Sequence, residues 1–498
     1  MRRITHWASG GPLESTTDRW GTVYNPATGA AQAEVPFATP DETASVIATA
    51  TEAAATWGVS SISARTEILF AFRHLVFTHR DELASLITSE HGKTHDDALG
   101  EVSRGLENIE FACGLAEHLK GTFSSQISRG VDVNSLRQPV GVVAGITPFN
   151  FPIMVPLWMT ANALACGNAM ILKPSEKDPS TVMRVAELLA DAGLPAGVFS
   201  VLHGDASVVT ALLDDPAVSA ISFVGSTPIA KSIYTRGTAA GKRVQALGGA
   251  KNHMLVLPDA DLGVAADSAV SAAYGSAGER CMAVSVVVAV GEIADPLVEA
   301  IAERMASLVI GPGDEEKSEM GPLITREHRD KVASYVEGAS AEGATVLVDG
   351  SRLEVDAKNA QGFFFGPSLL DHVKPGMKAY DDEIFGPVLS VVRVATYAEA
   401  VELINANPYG NGVAIFTRDG GAARRFTAEV TCGMVGVNVP IPVPHASYSF
   451  GGWKDSLFGD AHMYGPEGVD FYTRTKVVTT RWPDPATSSV DLGFPKSR

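Results

Sequence analysis

Cys281 is the side chain in this sequence that is best placed for covalent chemistry. It lies in the segment GERCMA (residues 278–283), after an alanine-rich helical stretch, so small residues precede it and a cation is next to it. The thiolate is the nucleophilic form of cysteine, and the positive charge of Arg280 would favour it while Glu279 would oppose it. A single cysteine is more often an inert core residue, and the segment by itself leaves that alternative open.

Asn150 is the second candidate for the chemistry. It lies in TPFNFP (residues 147–152), directly after a stretch that has the pattern of a buried strand. A side-chain amide at that point could donate a hydrogen bond to a developing oxyanion. In isolation the residues favour an Asx-type turn before Pro152.

Two further segments have residues that suit a nucleotide site. In FVGSTP (residues 223–228) a strand ends at a glycine, and Ser226 or its neighbour caps a helix whose free N–H groups would attract a pyrophosphate. In KPSEK (residues 173–177), Lys173 and Glu176 follow another strand and could hydrogen-bond ribose hydroxyls. The alternatives are an ordinary capped helix and a solvated loop. The G-x-G-x-x-G fingerprint is missing from the sequence.

Alternating strands and helices must position these side chains. The first third of the chain is helical in pattern, with helices predicted over residues 41–57, over 64–90 as a pair, and over 96–119. A polar, serine-rich stretch over residues 121–137 then has the character of an exposed arm.

Four buried strands are predicted after this arm, over residues 140–146, 169–172, 199–202 and 220–224, with Pro139 opening the first. Helices separate them, which predicts right-handed crossovers and a parallel, doubly wound sheet that binds ligands at its carboxyl edge. A second α/β region runs from about residue 252 to 443, and the tail from residue 471 is strand-like.

Composition excludes several classes of protein. The chain has 498 residues, 45% of them hydrophobic, which predicts at least two domains, and its net charge of −18 argues against a nucleic-acid partner. No apolar run reaches the roughly 18–20 residues that span a bilayer, and the start of the chain has no signal-peptide pattern. The four cysteines are scattered, so we expect no disulfide framework, no metal site and a cytoplasmic location.

The sequence resembles the aldehyde dehydrogenase superfamily over nearly its whole length. The matching segments are YNPATG (residues 24–29), TPFNFP, KPSEK, FVGST, the cysteine loop and EIFGPV (residues 383–388). The resemblance implies two doubly wound α/β domains and a small β oligomerisation arm. The implied domain boundaries are 1–120 and 140–248 for the cofactor domain, with 447–470 returning to it, 249–446 for the catalytic domain, and 121–139 with 471–498 for the arm.

The same resemblance implies the roles of individual residues. Cys281 would be the nucleophile and Asn150 an oxyanion donor, with NAD(P) bound without the usual glycine fingerprint. Lys173 and Glu176 would lie near the adenosine ribose, Ser226 near the pyrophosphate and Glu383 on the nicotinamide ribose. The remaining implied cofactor contacts are Thr147, Phe149, Lys177, Gly248 and Phe385. The resemblance also implies NAD over NADP, and Glu176 near a 2′-phosphate would be unfavourable.

One departure from the superfamily concerns release of the product. Most members carry a glutamate base in a Glu-Leu-Gly-Gly-Lys segment, whereas this chain has Ala246 or Leu247 at that place, depending on the alignment. Neither can accept a proton, and general-base help is worth roughly 10²–10⁴-fold, so water should release the acyl group slowly. A thiol such as coenzyme A (CoA) would then be required. The alternative is that another base, such as Glu279, replaces the lost one.

The departure is shared by the CoA-acylating methylmalonate-semialdehyde dehydrogenases, which the sequence also resembles in VPLWM (residues 155–159), GAKNH (residues 249–253) and VNVPIPVP (residues 437–444). The resemblance implies that Arg104 and Arg280 hold a substrate carboxylate, which a guanidinium can grip in two hydrogen bonds. For Arg104 the alternative is a surface helix arginine paired with a neighbouring carboxylate.

The expected function is therefore NAD-dependent oxidation of methylmalonate or malonate semialdehyde with CoA, by a homodimer or homotetramer. A hydrolytic aldehyde dehydrogenase of another substrate class is the alternative. The substrate side chain is left open, because Glu279 and residues 445–448 differ from the subfamily pattern.

Overall fold

A computed structural model describes residues 1–486, 488–490, 492 and 493 of the chain. Fifteen α-helices are found in the described residues: α1 Pro40–Trp57, α2 Ile62–Thr78, α3 Arg80–His91, α4 His95–Cys113, α5 Met154–Ala165, α6 Ser180–Asp191, α7 Ala206–Asp214, α8 Thr227–Ala239, α9 Leu262–Tyr274, α10 Ala294–Met305, α11 Arg326–Glu342, α12 Lys378–Asp381, α13 Tyr397–Ala406, α14 Gly420–Glu429 and α15 Gly465–Tyr472.

The strands of the described part of the chain are β1 Arg2–Arg3, β2 His6–Ala8, β3 Gly11–Leu13, β4 Trp20–Asn25, β5 Ala30–Pro36, β6 Phe123–Ser128, β7 Val131–Pro139, β8 Val142–Ile146, β9 Ala169–Lys173, β10 Phe199–Val201, β11 Val218–Val224, β12 Arg243–Leu247, β13 Asn252–Val256, β14 Val284–Val290, β15 Thr345–Val348, β16 Ser368–Asp371, β17 Val388–Val394, β18 Tyr409–Gly410, β19 Gly412–Phe416, β20 Met434–Val437, β21 Trp453–Lys454, β22 Leu457–Phe458 and β23 Thr473–Arg481.

The first large sheet has eight strands in the order β22-β12-β11-β8-β9-β10-β2-β3. Its five central strands, β12, β11, β8, β9 and β10, are parallel, while β22 and β2 pair antiparallel at the two sides. Strands β8 and β9 are buried along their whole length, which is why their sequences are continuous apolar runs. The order of the strands reverses between β8 and β11, which is where a doubly wound sheet binds its ligand.

The second large sheet has seven strands in the order β15-β16-β17-β14-β13-β19-β20, and only β15 is antiparallel to its neighbour. A separate antiparallel sheet, β23-β7-β6, joins residues 123–139 to the tail. The predicted class, two doubly wound α/β sheets with a small β arm, is confirmed. The domain boundaries stay a prediction, and residues 487, 491 and 494–498 of the predicted arm lie outside the described residues.

Several local predictions need correction. Pro139 does not open the first buried strand: it ends β7, and β8 begins at Val142. The helix predicted to reach residue 119 ends at Cys113, because Gly114 follows and the chain continues in turns. The parallel strand β12 was missed, since it is short and begins with Arg243. No helix in the described part of the chain is long and apolar enough to cross a membrane.

Candidate active site

The loop that carries Cys281 is held in place by hydrogen bonds to its backbone. After α9 ends at Tyr274, a short 3₁₀ segment follows in which Ser276 and Ala277 have φ values of 54° and 51°. The carbonyl oxygen of Cys281 then accepts hydrogen bonds from the side-chain amides of Asn252, at 2.9 Å, and Asn411, at 3.1 Å. These two asparagines begin or precede neighbouring strands of the second sheet, so the sheet fixes the position of the thiol-bearing residue.

A cavity of about 210 Å³ opens at Cys281 and contains both predicted carboxylate-binding arginines. Its walls are Asp97, Gly100, Glu101, Arg104, Phe151, Met154, Trp158, Arg280, Cys281, Met282, Ile441 and Val443. The apolar side chains favour a small organic substrate, while the two guanidinium groups favour an anionic one. The structure thus brings Arg104 to the same cavity as Arg280 and Cys281, which lie far from it in the sequence.

Each arginine already has a carboxylate partner. Arg104 donates to Glu107 at 2.6 Å and to the carbonyl oxygen of Pro444 at 2.7 Å. Arg280 donates to Asp97 at 2.6 Å. Arg104 thus pairs with a neighbouring carboxylate on its own helix, as the alternative interpretation expected. Its side chain nevertheless also lines the cavity. These contacts fix both guanidinium groups in place before a substrate arrives.

The thiol of Cys281 is protonated at neutral pH in the cofactor-free chain. Burial, and then the nearby carboxylate of Glu383, raise the pKa of Cys281 to about 12. Arg280 lowers this pKa, as expected, but by less than the other groups do, and its guanidinium donates to Asp97. The opposing carboxylate is Glu383, and the Glu279 carboxylate is not among the groups that shift the pKa of Cys281.

Glu279 lies instead in a buried polar cluster. Its carboxylate oxygens are 3.8 Å from Nε2 of His91 and 3.6 Å from Nε2 of His328, and one of them accepts a hydrogen bond from the N–H of Ile324. Burial raises the pKa of Glu279 to about 8. Glu279 is not one of the residues that line the cavity of Cys281, and Arg280 pairs with Asp97 rather than with it.

The predicted cofactor residues fall mostly at one edge of the first sheet. Thr147 follows β8, Lys173 ends β9, Ser226 follows β11 and Gly248 follows β12. Because these four strands are parallel and adjacent, their carboxyl ends meet. The hydroxyl of Thr147 is buried without a hydrogen-bond partner, which leaves a polar atom free for a ligand at this edge.

The predicted ribose contact at this edge is an ion pair. Nζ of Lys173 lies 3.3 Å from Glu176. Burial raises the pKa of the Glu176 carboxyl group, but Lys173 and Lys177 lower it, and the net shift is downward. Glu176 is therefore ionised at neutral pH and can accept hydrogen bonds from ribose hydroxyls.

A second group of predicted cofactor residues lies nearer to the thiol. Glu383, Phe385, Arg280 and Cys281 line one crevice, and the carboxylate of Glu383 accepts a hydrogen bond from the N–H of Ala250 at 2.8 Å. The ring of Phe149 packs edge-on against Phe385 with centroids 5.9 Å apart. Nζ of Lys177 lies 4.5 Å from the centroid of the Phe149 ring. Phe149 thus links the two groups, since it contacts Lys177 of the first and Phe385 of the second.

The two candidate places for the missing base lie on opposite faces of β12. Leu247 belongs to the same large apolar cluster as Met282. Cys281 is partly buried and packs against that cluster. Ala246 packs in the cluster on the other face, with Ile146 and Phe223. Leu247 therefore belongs to the cluster that Cys281 packs against, whereas Ala246 does not, and neither side chain can accept a proton.

Some residues that shape the site were not identified from the sequence. Asp97, Asn252 and Asn411 are examples, and a further pair is Lys93 with Glu101. The partners of Asp97, Asn252 and Asn411 are 29 to 183 residues away along the chain, so no local motif relates them. Only the position of Asp97, Glu101 and Arg104 on one face of a helix, at intervals of four and three residues, carries a signal.

A nucleotide-type sheet edge next to a thiol in a small cavity is the arrangement of a dehydrogenase with a cysteine nucleophile. The sequence matches the model of the aldehyde dehydrogenase family over residues 13–478. It is 52% identical over 492 residues to the malonate-semialdehyde dehydrogenase of Pseudomonas aeruginosa, covering 98% of this chain and 99% of that protein. It is 47% identical over 482 residues to malonate-semialdehyde dehydrogenase 1 of Geobacillus thermodenitrificans, covering 97% and 99%.

Solved structures agree with this assignment. The methylmalonate-semialdehyde dehydrogenase of Oceanimonas doudoroffii is 51% identical, with a TM-score of 0.96 and coverage of 98% of this chain and 99% of that chain. A Sinorhizobium meliloti protein assigned to the same activity and complexed with NAD is 48% identical, with the same TM-score and coverage. The chain belongs to the aldehyde dehydrogenase family. It is an aldehyde-oxidising enzyme and its cofactor is NAD.

Proposed function

We propose that the enzyme oxidises malonate semialdehyde or methylmalonate semialdehyde with NAD and CoA, and yields acetyl-CoA or propionyl-CoA, CO₂ and NADH. The observation that carries this proposal is the cavity in which Arg104 and Arg280 lie with Cys281. Two guanidinium groups can hold a carboxylate while the sulfur meets the nearby carbonyl carbon. The names of the relatives above are those of enzymes for these two substrates.

Cys281 begins the reaction by attacking the aldehyde carbonyl carbon as a thiolate. The carbonyl oxygen becomes an oxyanion, which the side chain of Asn150 and a backbone N–H at the cysteine stabilise. When bound, NAD accepts the hydride from that carbon. An acyl thioester then remains on Cys281. The thiol must lose its proton before the attack, because its pKa is about 12 in the cofactor-free chain.

Arg104 and Arg280 direct the next step. The substrate carboxylate is attached to the carbon next to the thioester carbonyl. The bond between that carbon and the carboxylate can therefore break and release CO₂, with the electron pair passing into the thioester as an enolate. A proton then adds to that carbon. The shortened acyl group stays on Cys281 as a thioester, without the carboxylate that the arginines held.

Leu247 makes a thiol the required acceptor. Since neither Leu247 nor Ala246 can accept a proton, β12 supplies no base to activate water. A thiolate attacks a thioester without such help, so the ionised sulfur of CoA takes the acyl group and Cys281 leaves as a thiolate. The hydrolytic alternative would need a base that contacts the thioester, and Glu279 does not line this cavity.

Steady-state product analysis tests the proposal. NADH formation with either semialdehyde should rise strongly with CoA, and the acyl-CoA should equal NADH in amount. A free acid formed at the same rate without CoA would contradict the proposal and favour the hydrolytic alternative.

We also propose a cytoplasmic homodimer or homotetramer. The support is the antiparallel sheet β23-β7-β6, in which β6 is mostly exposed and Val477 of β23 is 64% exposed. All four cysteines are free, as expected in a reducing compartment.

A further inference from the structure

Lys93 and Glu101 form a buried ion pair beside the substrate cavity. Nζ of Lys93 lies 2.9 Å from Glu101 Oε2, and the two residues are only 1% and 2% exposed. Lys93 lies between α3 and α4, and Glu101 is in the second turn of α4. Burial of two charges is costly, and such a pair persists only where further hydrogen bonds satisfy the remaining polar atoms.

Those further hydrogen bonds all go to one short segment, residues 150–154. Nζ of Lys93 donates to the carbonyl oxygen of Asn150 at 2.7 Å. Glu101 Oε1 accepts from the N–H of Ile153 at 2.8 Å and of Met154 at 3.1 Å.

The second pair of hydrogen bonds also completes a helix end. Helix α5 begins at Met154, and its N-cap residue Ile153 makes no side-chain capping bond. The Glu101 carboxylate takes the place of that cap, and its negative charge suits the positive end of the helix dipole.

We propose that Lys93 and Glu101 are positioning residues that fix Asn150 for stabilisation of the oxyanion. This inference rests on the proposed role of Asn150. The ion pair holds the carbonyl group of Asn150 from one side and the start of α5 from the other, so the peptide units that carry the amide side chain cannot rotate. Oxyanion donors act only within a narrow distance range, so loss of this restraint slows hydride transfer.

The geometry of α4 supports this role. Asp97, Glu101 and Arg104 all line the substrate cavity from one face of α4. Asp97 holds Arg280, Arg104 faces the substrate carboxylate, and Glu101 holds the Asn150 segment. One rigid helix thus sets the distance between the carboxylate-binding groups and the oxyanion donor.

The test uses a charge-neutral double variant, Lys93→Met with Glu101→Gln, which keeps the side-chain shapes and leaves no unpaired buried charge. We expect single-turnover hydride transfer at saturating aldehyde and NAD to fall roughly ten- to a hundredfold. NAD affinity, measured by protein fluorescence, should change less than about threefold. The control is Lys242→Met, which removes another buried lysine that binds backbone carbonyls far from Asn150 and should leave the hydride-transfer rate within about twofold.

Combination with Asn150→Ala distinguishes positioning from a purely structural role. If the pair acts through Asn150, its replacement should slow hydride transfer no further once Asn150 is alanine. If the pair replacement slows hydride transfer as much in the Asn150→Ala background as it does alone, the inference is overturned. An unchanged rate in the Lys93→Met, Glu101→Gln variant would also overturn it. If Asn150→Ala alone leaves the rate unchanged, the proposed oxyanion role is wrong, and the inference with it. Glu101→Gln alone serves in the same comparison if thermal melting shows that the double variant is unfolded.

Discussion

Arg280 donates a hydrogen bond to Asp97 across 2.6 Å, so the cation next to Cys281 in the sequence is directed towards the first turn of α4. This contact joins two segments 183 residues apart. Burial and Glu383 are the largest influences on the pKa of Cys281, and Arg280 lowers that pKa by less. The same contact holds the guanidinium at the wall of the substrate cavity.

The reactivity of Cys281 should therefore increase with pH. Because its pKa is raised to about 12, alkylation of the cofactor-free enzyme by iodoacetamide should rise about tenfold per pH unit between pH 7 and 10. Glu383→Gln removes a negative charge that opposes the thiolate, so it should lower the pKa and speed alkylation at pH 8. Cys281→Ser provides the background from the other three cysteines, which are buried. A rate that is already constant above pH 7 would show that the thiolate is formed without cofactor.

Loss of either cavity arginine should weaken binding of the semialdehyde. A hydrogen bond to a charged group is worth about 1.5–3 kcal/mol, so Arg104→Leu or Arg280→Leu should raise the KM for malonate semialdehyde roughly ten- to a hundredfold. The KM for propanal, which has no carboxylate, should change little. Arg329→Leu is a matched control, because Arg329 pairs with Asp330 outside the cavity. Equal losses for both aldehydes would argue against carboxylate binding.

Gly275 should be needed for the position of Arg280. A Cβ atom at Gly275 would lie 2.5 Å from Nη1 of Arg280, so Gly275→Ala forces the guanidinium to move. Its backbone φ of −54° is open to alanine, so the effect should be local. We expect a KM for the semialdehyde that is raised by about tenfold, part of the effect of Arg280→Leu. Gly263→Ala has only ordinary contacts and is the control. An unchanged KM in Gly275→Ala would show that the guanidinium position is unimportant.

A base introduced at position 247 should restore hydrolysis. Leu247 belongs to the apolar cluster that Cys281 packs against, so Leu247→Glu introduces a carboxylate into that cluster. CoA-independent turnover to free acid should increase by about 10² or more, the lower end of general-base effects. Leu247→Gln has the same size without basicity and should show no gain. Equal hydrolysis by the two variants would assign the increase to altered packing.

Much of the fold could be predicted from the sequence because its patterns are local. The runs that became β8 and β9 are apolar throughout, and α1 has good helix formers and a capping threonine at position 39. Errors arose where neighbours decide the structure: Pro139 belongs to the arm strand because it pairs with Thr473 of the tail.

The site was predictable to the extent that its residues follow strands in recognisable segments. Cys281, Arg104 and Arg280 do lie together, as the resemblance implied. The contacts that set their electrostatics were not predictable, because charges such as Asp97 and Glu383 reach the thiol loop from distant parts of the chain. The buried pair of Lys93 and Glu101 is a further case, since neither residue type is expected in a core.

The most direct test of the account is a rapid-mixing experiment with semialdehyde and NAD in the absence of CoA. We predict a burst of one NADH per active site, followed by very slow turnover, with mass spectrometry showing an acyl group on Cys281. Addition of CoA should then release that group as acyl-CoA and restore rapid NADH formation. Continuous rapid turnover to a free acid without CoA, or a burst that persists in Cys281→Ser, would contradict the account.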